Sequence, residues 1–409
     1  MREDHDTVVI GGGQAGLAMS AVLQQRGREH VVLERGQIGG RWRTERWDSL
    51  RFQFPNSSLE LPGYRYSGGN PNGFAHWREV LRVIEGYAAT TKAPVREHVE
   101  VTGLRAEDGG FALSVEHGTI HARHVVVATG PFQRPLIPQF AGGVPGSVLQ
   151  TDATRYGRPE DLPDGAVLVV GSGASGCQIS DELVHSGRTV FLSVSRHRRI
   201  PRRFRGQDAY WWLDRMGRFA QTIDSFPQRE WPPSTVVTGV SGGYDVNVRQ
   251  MATDGTHVLG RLLNASDGTV SVARNANQVL DEADAAFAGF VAAAREFAAT
   301  NPDLELAAEE PTQSALPPTA IGEVESLDLR RENVAAIIWA TGYDYDYNWL
   351  QVPVFDPRGR PLQRRGVSPA PGLYFLGLHW MHTFKSGLFS GVGSDAEYLA
   401  LHMDLATER

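Results

Sequence analysis

The 409-residue sequence contains one cysteine, Cys177, and so lacks every chemistry that needs two cysteines in one chain. A single cysteine forms no internal disulfide and no CxxC redox pair. The scarcity of cysteine also fits a reducing compartment, so we expect a cytoplasmic protein. Thiol chemistry is therefore not expected to carry the function, and we interpret Cys177 as a packing residue.

Long apolar runs and a strong charge of either sign are also absent. No run approaches the ~20 apolar residues that span a bilayer, and the acidic start, Met1–Asp6, does not read as a signal peptide. The net charge of −7 argues against a general nucleic-acid binder. No group of residues has metal-ligand spacing, so no metal is expected.

Glycine, in contrast, is abundant, and part of it forms one pattern twice. Each copy follows a β-branched strand and precedes the start of a helix. Such a turn directs backbone N–H groups and the positive helix end at a pyrophosphate. One copy is weak evidence, but two predict two dinucleotides and electron transfer between them. The glycines are Gly11, Gly13 and Gly16 in the first copy, and Gly171, Gly173 and Gly176 in the second.

The residues after the first copy indicate FAD. Glu34 ends the following strand, where an acid binds the ribose hydroxyls of an adenosine that has no 2′-phosphate. Next come Gly40, Arg41 and Trp42. A glycine here permits close approach of the backbone to a cofactor, and the aromatic ring can cover part of a flavin. We therefore predict that these four residues contact FAD.

Two further segments are candidates for the same cofactor. Strands end in Ala-Thr-Gly at residues 128–130 and 340–342, which allows sharp turns close to bound cofactor, so Thr129 is a candidate contact. Gly387 and Leu388 precede the last predicted helix. The start of that helix could place its dipole near the flavin pyrimidine ring, where negative charge develops on reduction. An ordinary terminal helix packed on the sheet is the alternative.

The residues after the second copy indicate NADPH. The strand end from Ser195 onward is rich in arginine and contains no carboxylate before Asp208. Arginine pairs with a 2′-phosphate, whereas a carboxylate would repel it. We predict that Arg196 makes this contact, with Arg198 or Arg199 second; a solvated basic turn is the alternative. Further candidate contacts are Ser175 and Ser195.

Together these motifs resemble the class B flavin-dependent monooxygenases, a group that includes the flavin-containing, YUCCA-type and Baeyer–Villiger enzymes. The resemblance extends from Val8 to about Ala400. We expect an α/β fold with two Rossmann-like dinucleotide-binding domains. The FAD domain is expected to be discontinuous, at residues 1–150 and 311–409, with the NADPH domain inserted at 151–310. The group implies that NADPH reduces FAD and that O₂ then forms a flavin C4a-(hydro)peroxide, which oxygenates the substrate.

One departure from the group lies between the two glycine motifs. Its fingerprint is F-x-G-x-x-x-H-x-x-x-Y, with Trp in place of Tyr in the Baeyer–Villiger enzymes. Anchored on Tyr156, the histidine position is Asp152 and the glycine position is Val148. Tyr156 favours the flavin-containing branch. The missing histidine puts domain closure and NADP⁺ retention in question, and leakage of hydrogen peroxide is one expected consequence.

Three residues are candidates for a catalytic role. Asn56 follows a proline and matches the asparagine that the resemblance places beside the peroxide; the alternative is a turn residue. His379 and His382 follow the last predicted strand and could orient substrate or transfer a proton. Local hydrogen bonding is their alternative. The aromatic segment at 204–231 is expected to border the nicotinamide and substrate cavity.

We predict an NADPH- and O₂-dependent FAD monooxygenase that oxygenates a small organic substrate, most simply at nitrogen or sulfur. Baeyer–Villiger oxidation and oxidative decarboxylation stay open. Alternatives of another class are an NADPH:acceptor oxidoreductase or oxidase without oxygen transfer, and a redox sensor. Residues 280–299 have helical periodicity typical of a core helix, with a dimer face as the alternative. The predicted partners are thus a small molecule and O₂, and a homodimer is compatible with the group.

Overall fold

A computed structural model describes residues 3–227, 235–309 and 320–407. In these ranges the strands are β1 Glu3–Ile10, β2 His30–Leu33, β3 Glu60–Leu61, β4 Tyr64–Arg65, β5 Val95–Arg96, β6 Gly103–Glu107, β7 Gly110–Val115, β8 Gly118–Val127, β9 Arg134–Pro135, β10 Leu149–Asp152, β11 Ala166–Val170, β12 Val190–Ser193, β13 Arg203–Phe204, β14 Gln207–Asp208, β15 Thr256–Leu259, β16 Leu262–Ser266, β17 Thr269–Val272, β18 Ser326–Asp328, β19 Val334–Trp339, β20 Tyr343–Asp344 and β21 Leu373–Phe375. The α-helices are α1 Gln14–Gln25, α2 Gly40–Thr44, α3 Trp77–Thr91, α4 Ala174–His185, α5 Ala209–Arg215, α6 Val248–Thr253, α7 Ala276–Thr300 and α8 Phe389–Thr407.

The first sheet has the order β5-β2-β1-β8-β7-β6, and β21 also pairs with β8. Strand β1 lies parallel to β2 and to β8, so β1, α1 and β2 form a βαβ unit around the first glycine turn. All four residues of β2 and the last four of β1 are buried, as expected of inner parallel strands that are covered on both faces. This arrangement places the end of β1 at the sheet edge where dinucleotides bind.

The second sheet has the order β10-β19-β11-β12-β15, and all of its neighbouring strands are parallel. Helix α4 connects β11 to β12, which repeats the βαβ unit around the second glycine turn. The predicted fold class, with two Rossmann-like dinucleotide-binding units, is therefore confirmed.

Strand β19 bears on how the chain is divided between the two domains. The predicted boundary at 310 and 311 lies outside the described residues. Strand β19, which the sequence division assigned to the returning FAD domain, pairs with β10 and β11 of the second sheet. Its Ala-Thr-Gly end resembles that of β8, so local sequence does not reveal which sheet it joins. We propose that the chain returns to the first domain between Trp339 and β21.

The two domains share an apolar contact. One buried cluster contains residues from the segment around α3 of the first domain and from the second domain. Its members include Trp47, Leu50, Trp77 and Leu81 from the first, and Tyr156, Leu162, Val246 and Val248 from the second. The domains are therefore packed on each other through side chains and not only connected by linkers.

Helix α7 confirms the helix predicted at 280–299. Its buried face packs against Phe204 and Trp212, as expected of a core helix. Across the described ranges, no helix has the length and apolarity that crossing a membrane requires.

Candidate cofactor and active site

The two glycine turns have the same backbone geometry. Gly11 and Gly171 each have φ of +113°, a region that side chains rarely adopt. A Cβ on Gly16 would lie 1.8 Å from the Gly11 carbonyl oxygen, and one on Gly176 would lie 1.8 Å from that of Gly171. The first glycine therefore makes the tight turn and the third permits close packing of helix on strand, as dinucleotide turns require.

The middle glycine of each turn faces open space. A Cβ on Gly13 or Gly173 would meet no atom within 4 Å. Both glycines are N-caps, of α1 and α4, and neither helix start has a capping side chain. The N–H groups of each first turn thus lack a side-chain acceptor and border a space that a side chain would fill. Both sites fit a pyrophosphate, which would accept these hydrogen bonds.

Glu34 lies against the first glycine turn. Its carboxylate accepts hydrogen bonds from the N–H of Gly12 at 2.6 Å and from that of Gly36 at 2.9 Å. A Cβ on Gly12 would lie 2.9 Å from the Glu34 Cβ, so glycine is needed for this approach. The two N–H groups orient the carboxylate beside the turn, where the sequence predicts a ribose contact.

The predicted Gly40 and Trp42 lie beside the same turn. The Gly39 N–H donates to the Gly12 carbonyl at 3.1 Å, and α2 begins at Gly40. The Trp42 ring packs edge-on against Phe52, with ring centroids 6.2 Å apart. It also contacts Phe389 at the start of α8, at 6.4 Å. The segment from Gly39 to Trp42 therefore contacts both the first glycine turn and the start of the last helix.

Arg41 and Thr129 meet through Gln133, which sequence analysis did not identify. The Gln133 amide donates to Thr129 Oγ1 at 3.0 Å, and its backbone carbonyl accepts from Arg41 at 3.2 Å. Arg41 also pairs with Glu45 at 2.7 Å. The only sequence signal for Gln133 is its place just after an Ala-Thr-Gly strand end. Part of the polar capacity of both predicted residues is thus used within the protein.

Gly387 and Leu388 reach the first glycine motif from the far end of the chain. The Gln14 side-chain amide, in the first turn of α1, donates to the Gly387 carbonyl at 3.0 Å. A Cβ on Gly377 would lie 2.6 Å from that of Ala15, so the segment leaving β21 passes close to α1. The structure therefore brings these predicted contacts to the first dinucleotide turn.

The predicted arginines of the second site differ in their surroundings. Arg196 is exposed and makes no hydrogen bond or ion pair with any residue that the structure describes. Arg198 is half-buried, and burial together with Arg218 lowers the pKa of its guanidinium. Arg199 is buried and pairs with Asp284 on α7 at 2.7 Å. Arg199 is therefore occupied by a structural ion pair, which leaves Arg196 and Arg198 as candidates.

The two predicted serines flank the second glycine turn. The Ser195 N–H donates to Ser172 Oγ at 3.3 Å, which ties the end of the second βαβ unit to the turn. The buried His197 ring also contacts the Ser172 carbonyl, at 2.7 Å. Ser175 lies in the first turn of α4. These contacts place the arginine-rich loop beside the turn that opens at Gly173.

His379 lies next to the Gly387 segment and is uncharged at neutral pH. Its ring meets Phe132 edge-on, with centroids 4.8 Å apart, and lies 3.4 Å from where a Gly387 Cβ would be. Burial lowers the pKa of His379 to about 4. A neutral imidazole can donate or accept a hydrogen bond, but it supplies no positive charge to a substrate.

The backbone of His382 is fixed by two hydrogen bonds. Its N–H donates to Ser386 Oγ at 3.1 Å, and its carbonyl accepts from the Ile223 N–H at 2.8 Å. Burial and the nearby Arg365 lower the pKa of its ring. The proton-transfer role predicted for either histidine stays a prediction.

The lowered pKa of the half-buried His379 makes stability depend on pH. Between pH 6.5 and 4 the unfolded chain takes up a proton that native His379 does not, so the free energy of unfolding falls as pH falls. The loss reaches roughly 3 kcal/mol at pH 4. We expect His379→Gln to flatten this slope in urea titrations across the window, whereas the exposed His117→Gln should not. Equal slopes in all three proteins would contradict the buried neutral state.

Asn56 is a brace between two loops. Its side-chain amide donates to the Asn70 carbonyl at 2.9 Å, and its oxygen accepts from the Ala75 N–H at 2.7 Å. The side chain is buried at the start of a 3₁₀ turn, Asn56–Ser58. These contacts are those of a structural turn residue. The peroxide contact implied by the resemblance stays a prediction.

Asp152, at the position of the missing fingerprint histidine, forms hydrogen bonds within its own turn. Asp152 is buried, and its carboxylate accepts from the Thr154 N–H at 2.8 Å. The Tyr156 hydroxyl donates to Glu182 on α4 at 2.8 Å. Contact with the first domain comes from a backbone hydrogen bond, from the Asp48 N–H to the Gly157 carbonyl at 2.9 Å, and from the Tyr156 ring, which lies 6.5 Å from that of Trp47. Asp152 thus stabilises a turn instead of reaching the other domain.

The packing interpretation of Cys177 is confirmed. Its side chain is buried, and burial raises the pKa of the thiol to about 12. A thiol with this pKa is protonated at physiological pH and is a poor nucleophile.

The geometry of the two glycine turns is typical of oxidoreductases that bind two dinucleotides in one chain. A family model described as pyridine nucleotide-disulphide oxidoreductase matches residues 8–215. A protein of Geobacillus kaustophilus, named "uncharacterized oxidoreductase CzcO-like", is 34% identical over 96% of this chain and 97% of its own length. The chain belongs to the pyridine nucleotide-disulphide oxidoreductase family.

Further comparisons relate it to monooxygenases. A probable indole-3-pyruvate monooxygenase of Arabidopsis thaliana, YUCCA1, is 29% identical over 46% of this chain and 47% of its own length. The fold is similar to that of a flavin-containing monooxygenase from Stenotrophomonas maltophilia, with a TM-score of 0.68, 18% identity and 99% of both chains covered. It is also similar to OTEMO in complex with FAD and NADP, with a TM-score of 0.57, 16% identity, and 99% and 86% covered. The resemblance to class B flavin-dependent monooxygenases is therefore confirmed in fold over nearly the whole chain and in sequence over about half of it.

Proposed function

We propose that this protein is an NADPH- and O₂-dependent FAD monooxygenase that oxygenates a small organic substrate, at nitrogen or sulfur. The observation that carries the proposal is the pair of open glycine turns with opposite charge beside them. Glu34 lies at the first turn, whereas the exposed Arg196 follows the second. A carboxylate suits unphosphorylated ribose and an arginine suits a 2′-phosphate, so the first turn takes FAD and the second takes NADPH.

The bound flavin would accept hydride from NADPH and activate O₂. The protein holds each pyrophosphate at an uncapped helix start and surrounds the flavin side with aromatic rings. Substrate oxygenation at a soft nitrogen or sulfur needs position and exclusion of water more than charged acid–base groups. The neutral His379 suits such a site, because it contributes a hydrogen bond without a positive charge.

Two rivals have specific support. The similarity to YUCCA1 covers 46% of the chain and keeps oxidative decarboxylation of a 2-oxo acid open, beside Baeyer–Villiger oxidation. Asp152, which bonds within its own turn, favours an NADPH oxidase or acceptor reductase that does not transfer oxygen. Both rivals keep the two cofactors and differ in the fate of O₂.

Labelled oxygen separates these functions. The purified protein would be incubated with NADPH, ¹⁸O₂ and a panel of sulfides, tertiary amines, ketones and 2-oxo acids. The proposal predicts one ¹⁸O atom in a sulfoxide or N-oxide and one NADPH consumed per product. Hydrogen peroxide equal to the NADPH consumed, with no labelled product from any class, would contradict oxygen transfer.

Nicotinamide preference tests the role of Arg196. A charge-assisted hydrogen bond is worth about 1.5–3 kcal/mol, so Arg196→Glu should lower kcat/KM for NADPH by about 10- to 100-fold. We expect kcat/KM for NADH to change little, since NADH lacks the 2′-phosphate. The matched control is Arg358→Glu, which changes the same charge in an exposed loop far along the chain. An unchanged NADPH preference in Arg196→Glu would remove this residue from the site.

A further inference from the structure

Arg202 is a fully buried cation at the contact between the domains. Its side chain is 1% exposed. Two of its nitrogens bond the Asp208 carboxylate at 2.6 and 2.9 Å. The third donates to the backbone carbonyl of Gln53, in the first domain, at 2.7 Å. Its guanidinium also stacks on the ring of Phe74, at 4.5 Å. Arg202 therefore fastens one point of the second domain to two segments of the first.

Asp208 passes this constraint to α5. It is the N-cap of that helix, and its carboxylate accepts from the Tyr210 N–H at 2.8 Å. The same carboxylate thus bonds both Arg202 and the first turn of α5. Any change in the ion pair changes how the helix begins.

Residues 208–226, here called the strap, cross from this point onto the segment 380–390. The Tyr210 hydroxyl donates to Ser390 Oγ at 2.6 Å. Lys385 pairs with Asp214 at 2.8 Å. The Phe219 ring stacks on Phe384, with centroids 5.4 Å apart. The strap is thus bound to the first domain by a hydrogen bond, an ion pair and aromatic contacts.

The segment beneath the strap belongs to the first dinucleotide site. Gly387 lies within it and accepts the hydrogen bond from Gln14 at the start of α1. The strap carries the first part of the aromatic segment predicted to border the substrate cavity; Trp231 lies outside the described residues. The strap therefore covers the segment that reaches the first glycine turn.

We propose that Arg202 is a positioning residue that, through Asp208, holds the strap closed over the flavin site and so limits the loss of oxygen as hydrogen peroxide. The consequence for coupling rests on the proposed monooxygenase function. In the coupled reaction, substrate, O₂, NADPH and H⁺ give oxygenated substrate, NADP⁺ and H₂O. In the uncoupled reaction, O₂, NADPH and H⁺ give NADP⁺ and H₂O₂, and the substrate is unchanged.

Loss of Arg202 acts in two ways. It leaves the half-buried Asp208 carboxylate without its counter-charge, which is unfavourable. It also removes the link from α5 to Gln53, so the strap loses one of its attachments to the first domain. Water and small solutes would then reach a site that the strap otherwise shields.

The test compares Arg202→Met and Arg202→Lys with wild type in the flavin-loaded protein. Iodide quenching of flavin fluorescence reports access to the site, and peroxide formed per NADPH in the presence of thioanisole reports coupling. We expect both to rise at least threefold in Arg202→Met and to rise less in Arg202→Lys, which retains the charge. The control is Arg295→Met on α7, which breaks an exposed ion pair with Glu309 and should leave both quantities unchanged.

The outcomes separate this proposal from the proposed function. Iodide quenching tests whether Arg202 keeps the strap closed, even if the wild-type protein transfers no oxygen to thioanisole. Wild-type quenching in Arg202→Met with full flavin content would overturn the proposal, since it would show a purely structural ion pair. If Arg202→Met does not fold, the same quenching test is made on Tyr210→Phe, which removes only the hydrogen bond to Ser390. It must raise quenching, and a wild-type value would overturn the proposal.

Discussion

Replacing Gly13 with aspartate is expected to yield a folded protein without flavin. The backbone at Gly13 is in the extended region, and a Cβ there meets no atom within 4 Å, so the side chain fits the fold. Its carboxylate would occupy the space beside the first turn of α1 and repel a pyrophosphate. Losing two charge-assisted hydrogen bonds of about 1.5–3 kcal/mol each weakens binding at least ~100-fold. The FAD content per protein and the Tm measure the two effects.

The matched control for this variant is Gly146→Asp. Gly146 is exposed, and a Cβ there also meets no atom within 4 Å, so the same side chain is added away from the glycine turns. We expect wild-type FAD content in the control. Full FAD content in Gly13→Asp would place the flavin pyrophosphate somewhere other than the first turn.

The second large effect is expected from Gly173→Asp, which blocks the second turn and leaves the first intact. Gly173 is again extended and open, so the variant should fold and retain FAD. NADPH should reduce its flavin at least ~100-fold more slowly at a fixed low NADPH concentration, by the same loss of hydrogen bonds. The rate is measured anaerobically from the loss of flavin absorbance.

Chemical reduction provides the control for Gly173→Asp. Dithionite reduces flavin without using the nicotinamide site, so it should bleach variant and wild type equally. Loss of FAD from Gly173→Asp, or an unchanged rate with NADPH, would contradict the assignment of one cofactor to each turn.

The features that the sequence predicts correctly are local ones. At both copies the predicted strand, tight glycine turn and helix start follow one another along the chain, around Gly11–Gly16 and Gly171–Gly176. Glu34 is predicted from spacing alone, because a βαβ unit fixes the distance along the chain between the turn and the next strand end. The long helix α7 follows from its apolar period.

The features that the sequence does not reveal depend on distant partners. Arg196 and Arg199 belong to one basic segment of the sequence. Only the fold shows that Arg199 forms an ion pair with Asp284. The sequence does not distinguish a cofactor contact from a structural role for Asn56. The structural role is visible only from its hydrogen bonds to Asn70 and Ala75. The membership of β19 in the second sheet is likewise a tertiary fact.

The most direct test of the account is anaerobic addition of NADPH, and separately of NADH, to the purified flavin-loaded protein while the flavin absorbance is recorded. The account predicts rapid and complete bleaching by NADPH and slow bleaching by NADH at equal concentration, because only NADPH has the phosphate that Arg196 is placed to bind. Faster bleaching by NADH, or no bleaching by either, would contradict the central claim that the two turns hold FAD and NADPH for hydride transfer.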